Sequence, residues 1–109
     1  MISWVVLNRE MRLSDDKVTV ENVNTPGKTG RVNAAKYHAM RDAMLAVLPE
    51  AAPGLSAAEI KDRVKPRLPD DLFPGGKTSG WWLKCVQLDL EAKGIVARHK
   101  TKPLRFSLV

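Results

Sequence analysis

Apolar and polar residues alternate from Lys17 through Val20, the period of two that a strand with one covered face requires. The segment extends to Val23, and Pro26-Gly27 follows in the arrangement of a type II turn. Thr29 to Val32 is a candidate return strand, although Gly30 leaves it little to pair with. The period then changes. Asn33 suits an N-cap, and Tyr37, Met40, Met44, Val47 and Leu48 recur at helical spacing until Pro49, which predicts a first helix over 34–48. Ala51 to Gly54 is a linker. Ser56-Ala57-Ala58-Glu59 is a capping box, and Ile60 and Val64, flanked by Leu55 and Leu68, form one apolar face of a second helix. Pro66 and Pro69 limit that helix to about three turns. Pro69 to Gly76 cannot continue it, and Leu72 and Phe73 are placed to pin this loop to the core. A third helix, capped by Thr78 or Ser79, runs to Lys93, with Gly94 as its left-handed terminator. Ile95 to His99 and Leu104 to Leu108 read as a terminal hairpin, joined through Lys100-Thr101-Lys102-Pro103.

On a wheel of about 100° per residue, Trp81, Trp82, Cys85, Val86, Leu88, Leu90 and Ala92 spread over a broad arc of the third helix, so most of it is expected to be buried. Gly80, Lys84, Gln87 and Glu91 form the remaining stripe, with Lys77 close to the same side. Neighbouring tryptophans point about 100° apart, so both can be core only if the helix is flanked on two sides. Otherwise one of them faces solvent or a partner.

Three helices followed by a hairpin, with a short capped helix leading through a loop into a longer one, resembles the order of a winged helix-turn-helix. Leu90 to Arg98 is similar to the recognition-helix end and first wing strand of many such domains. A closer likeness rests on Glu21-Asn22-Val23-Asn24 with Pro26-Gly27-Lys28-Thr29, Asp71 to Gly76, Gly80-Trp81-Trp82, Val86 to Glu91 and Lys102-Pro103-Leu104-Arg105. Over residues 17–109 these resemble a family of small bacterial proteins of unknown function. That family implies a fold and a bacterial origin, and it supplies no catalytic or binding residues. The fold expected is therefore α+β, a winged helix-turn-helix (residues 17–109) with a short N-terminal strand or hairpin, behind a tail of residues 1–16.

One hundred and nine residues suffice for one domain and exclude a multidomain enzyme. No apolar run approaches the roughly 18 residues of a membrane span. The apolar opening, Met1 to Arg9, lacks the basic start and cleavage site of a signal peptide, and Met11 marks the first ten residues as a candidate extension. One cysteine and two histidines provide neither a disulfide framework nor zinc-ligand spacing, and they fit a cytoplasmic protein. The net charge of +6 is unevenly placed: residues 75–109 hold seven basic and two acidic side chains, whereas residues 34–74 hold six of each. Such asymmetry points the last third toward something anionic, with nucleic acid ahead of an acidic protein or membrane surface.

The leading expectation is a binder of double-stranded DNA, as a small bacterial transcriptional regulator. Lys77, Lys84 and Gln87 would meet the major groove, the Thr78 and Ser79 amides would bind a phosphate oxygen, and Arg98, Lys100, Lys102 and Arg105 would hold phosphates from the wing. Solvated lysines and a charged edge that blocks strand aggregation account for the same residues without a ligand, and Asp89 and Glu91 argue against a long footprint. The alternative is a protein-interaction module, a homodimer or an adaptor. No cofactor or metal is implied, and no catalytic constellation is found. Gly27-Lys28-Thr29 and Gly76-Lys77-Thr78 lack the preceding glycine of a phosphate-binding loop, Cys85 lies mid-helix on the apolar side, and Asp70-Asp71 reads as a turn or a helix start.

Overall fold

The computed structural model describes residues 16–109. All of the expected tail except Asp16 lies outside the described residues, as does the candidate extension. β1 (Lys17–Glu21) and β2 (Thr29–Asn33) form the antiparallel hairpin, Lys17 opposite Asn33 and Glu21 opposite Thr29. Its turn closes with the Lys28 amide donating to the Thr25 carbonyl at 3.1 Å, around Pro26-Gly27 as the sequence implies. The Asn33 side chain accepts from the Lys36 amide and starts α1 (Ala34–Val47), which buries Tyr37, Met40, Ala43 and Met44.

Between the expected linker, Ala51 to Gly54, and the second helix lies a short strand that the sequence pattern does not predict. Leu55–Ser56 (β3) pairs with the C-terminal β5, Leu55 opposite Phe106. Gly54 makes this approach possible: its φ is 79°, and a Cβ there would lie 2.1 Å from the Phe106 carbonyl oxygen. The capping box forms, with the Glu59 amide donating to Ser56 Oγ at 3.3 Å and the Ser56 amide to the Glu59 carboxylate at 3.0 Å. It opens α2 (Ala57–Val64), whose Ile60 and Val64 are fully buried, and Pro66 then falls in a 3-10 turn. Phe73 pins the following loop, its ring edge-on to Trp82.

α3 (Ser79–Ala92) begins differently from expectation. Thr78 occupies the N-cap position with φ 63°, a left-handed conformation rare for a β-branched residue, and its hydroxyl donates to the Lys77 carbonyl, leaving the first turn without a side-chain cap. At the other end Gly94 is left-handed as expected, and the Ile95 amide returns to the Leu90 carbonyl at 2.9 Å. β4 (Val96–His99) and β5 (Arg105–Leu108) follow, and the second sheet has the order β3-β5-β4, antiparallel throughout. The core joins Met40 and Met44 of α1, Ile60 and Val64 of α2 and Val86 and Leu90 of α3 to Phe73, Val96 and Phe106. The hairpin β1–β2 packs against α1 and α3. The fold is α+β, with three α-helices and two small antiparallel sheets among the described residues. None of those helices is long and apolar enough to cross a membrane.

Candidate nucleic-acid interface

More than half of α3 is buried, because β1 covers one flank while α1, α2 and β4 close on the others. What stays open is its N-terminal outer face: Gly80, Trp81 and Lys84 are exposed, as are Lys77 and Thr78 just before it. The tryptophan pair divides. Trp82 is core, whereas Trp81, expected on the covered arc, is 60% exposed.

Gln87 departs from expectation in the opposite sense. Placed on the outward stripe by the helical wheel, it is 1% exposed, and its Nε2 donates to Glu91 Oε2 at 3.0 Å. Glu91 accepts in turn from both Nε and Nη2 of Arg98, at 2.7 and 3.1 Å. These hydrogen bonds raise the Arg98 pKa above its already high ordinary value. The chain Gln87–Glu91–Arg98 thus ties α3 to β4, so Gln87 presents no edge to a base and the Arg98 guanidinium is turned inward. Arg105 is likewise engaged, its Nη1 donating to Glu59 Oε1 and to the Gly54 carbonyl, each at 3.1 Å. Glu59 is held below the usual carboxylate range by the Ser56 amide first, then by the Ser56 hydroxyl and the charges of Arg105 and Arg63. Both arginines of β4 and β5 brace the fold because their strands bring them beside carboxylates 7 and 46 residues away in the chain.

Four expected residues remain as outward cations. Lys77, Lys84, Lys100 and Lys102 are exposed and have no ion-pair partner among the described residues. Lys61, which the sequence reading passed over, joins them: its Nζ would lie 3.5 Å from a Cβ placed on Gly80, over the first turn of α3. A groove of about 410 Å³ brings Lys61 and Lys84 to the same place as Pro103 and Leu104 of the β4–β5 turn, next to Lys102. Ser79 is buried, its Oγ without a hydrogen-bond partner among the described residues, while Thr78 is exposed.

Asp89 is the functional-looking group that sequence reasoning missed. It is fully buried on α3, and it accepts from the Glu21 amide at 2.8 Å, from Lys93 Nζ at 2.7 Å and from the Tyr37 hydroxyl. Burial first, and that hydrogen bond second, push the Tyr37 pKa far above its ordinary value. The signal was an aspartate between Leu88 and Leu90 with a lysine four residues on, a pairing that a polarity wheel assigns to solvent. The Glu21 and Tyr37 contacts tie β1 and α1 to α3, and Lys93 closes the last turn of Asp89's own helix, so its role is structural.

The remaining candidates for chemistry are ordinary. Burial, then the charge of Asp89, raises the half-buried Cys85 thiol above its usual pKa, which makes it a poor nucleophile. His99 shares a hydrogen bond with Ser107, and His38 stands edge-on to Tyr37. Asp70 accepts from the Gly75 amide and closes its loop. Among the described residues no group of three or more histidine, cysteine or acidic side chains could hold a metal ion.

A family model described as a family of unknown function (DUF6958) matches residues 17–106. No curated protein and no solved structure matches the chain.

Proposed function

The chain belongs to the family of unknown function DUF6958, and we propose that it is a small winged-helix-like module that binds double-stranded DNA chiefly through the phosphate backbone. One observation carries the reading. Both carboxylates of residues 75–109, Asp89 and Glu91, are turned inward and paired, so the unpaired charge this third presents to solvent is positive: Lys77, Lys84, Lys100 and Lys102. The winged-helix comparison is supported by the order α1, β3, α2, α3, β4, β5 with β3 beside β5. In that plan α3 takes the recognition position and the β4–β5 turn is the wing.

Lys84 and Lys61 would hold phosphates on one side of the groove and Lys100 and Lys102 on the other. With Gln87 buried, α3 offers few groups to read bases, which favours sequence-tolerant binding over site-specific regulation. Fluorescence anisotropy with a mixed-sequence duplex at about 50 and about 200 mM salt tests this. Four phosphate contacts give a slope near −3.6 in log affinity against log salt, a weakening of about 150-fold over that range. Replacing Lys84, Lys100 and Lys102 together by alanine abolishes it, whereas Gln87→Asn leaves the salt slope unchanged. Absence of binding at the lower salt overturns the proposal.

One observation favours a second reading, a protein-interaction module. Trp81 and Leu104 are large exposed apolar groups, and Leu104 lines the groove that Lys61 and Lys84 also line. Sedimentation of the isolated chain distinguishes a homodimer from a monomer awaiting another partner.

A further inference from the structure

We propose that the cavity between the β1–β2 turn and the open flank of α3 binds a small planar aromatic anion, its ring against Trp81 and its negative group between Lys28 and Lys84. The cavity encloses about 360 Å³, within the range of small-molecule sites. Trp81 supplies its aromatic wall. Buried Trp82 stands edge-on to that indole with ring centroids 5.0 Å apart at 79°, so an exposed ring is held in place by a fixed one. Leu88 adds apolar surface from the next turns of α3.

Charge selects the rest of the ligand. Lys28 comes from the hairpin turn, and Lys84 lies three residues after Trp81, on the same helix face. Neither has an ion-pair partner among the described residues. Glu21 is the only carboxylate among the lining residues, leaving two ammonium groups against one negative charge. A neutral ring would cover Trp81 but leave both lysines with water alone, and an aliphatic anion would leave the indole exposed. An aromatic carboxylate satisfies both. The site does not rest on the DNA reading, although Lys84 belongs to both, so an occupied cavity draws one lysine away from the proposed interface.

The test titrates the full chain with naphthalene-2-carboxylate and, separately, with its neutral carboxamide, following backbone amide shifts and the alkylation rate of Cys85, which lines the cavity. The carboxylate is expected to shift the Thr29, Gly30 and Cys85 amides saturably, to slow alkylation, and to bind at least about ten-fold tighter than the carboxamide. Trp81→Ala and Lys28→Ala each weaken it by about ten-fold or more, and Leu104→Ala, in the other groove, leaves it unchanged. Lys28 is exposed on a turn, so its variant decides the matter even if Trp81→Ala perturbs folding. Equal affinity for the two probes, shifts centred on Leu104 and Phe106, or no saturable shift at millimolar carboxylate overturns the proposal. No nucleic acid enters the experiment, so its failure leaves the lysine face standing and failure of DNA binding leaves this cavity standing.

Discussion

The two sheets are of similar size and are held in different ways. The β3-β5-β4 sheet sits on the core: Leu55, Val96 and Phe106 are all buried, and its arginines add ion pairs to carboxylates on α2 and α3. The β1–β2 hairpin has no fully buried residue, and Val18, Val20 and Val32 are only partly covered. Among the polar contacts that fix it in addition, the Glu21 amide reaches the buried Asp89 carboxylate on α3. Apolar burial is spread over many contacts and yields only when the whole core does, whereas a docking contact held by one carboxylate can be released separately.

Three substitutions would break or sharpen that contrast. The largest effect is expected at Phe106→Ala, which removes a buried ring at the centre of the second sheet and costs about 3–5 kcal/mol. Urea unfolding would show a lower midpoint, with tryptophan fluorescence and circular dichroism falling together. Asp89→Asn follows, losing the Lys93 ion pair and weakening the Tyr37 and Glu21 hydrogen bonds for about 1.5–3 kcal/mol. Here hydrogen exchange should quicken at the amides of 17–33 while 96–99 and 105–108 keep their protection; equal loss in both sheets would end the contrast. The smallest effect belongs to Glu59→Gln. Because the folded pKa of Glu59 is depressed, its contribution is present above the unfolded carboxylate value, about 4.3, and is lost as pH falls through the folded value. The variant should therefore show a flatter decline of melting temperature with acid than the parent, and identical slopes would remove Glu59 from the account.

Much of this was legible where the physics is local. Ser56 and Glu59 are three residues apart, Asn33 and Lys36 likewise, and Gly94 ends its helix by backbone conformation alone, so each could be read from neighbouring letters. β3 could not, because two residues become a strand only when Phe106 arrives from 51 positions away. The candidate site failed for the same reason. A wheel assigns glutamine to solvent, yet Gln87 is covered and donates to Glu91, which Arg98 holds in turn, and Arg98 reaches α3 only after the chain has turned at Gly94. Lys77, Lys84, Lys100 and Lys102 stay outside, and among the described residues no acidic side chain pairs with them. Trp81 is exposed since the covering elements flank α3 and leave its N-terminal outer face bare.

The inward pairing of Glu91 has a consequence for how surface charge can change over mutational time. A substitution that neutralises Glu91 removes a negative charge that solvent barely meets, its side chain being 4% exposed, and frees Arg98 to swing out. One inward-facing replacement would thus add another cation to the outward lysines without altering any of them. Affinity for an anionic partner could in this way be inherited through the interior of the protein, invisible to any comparison confined to exposed positions.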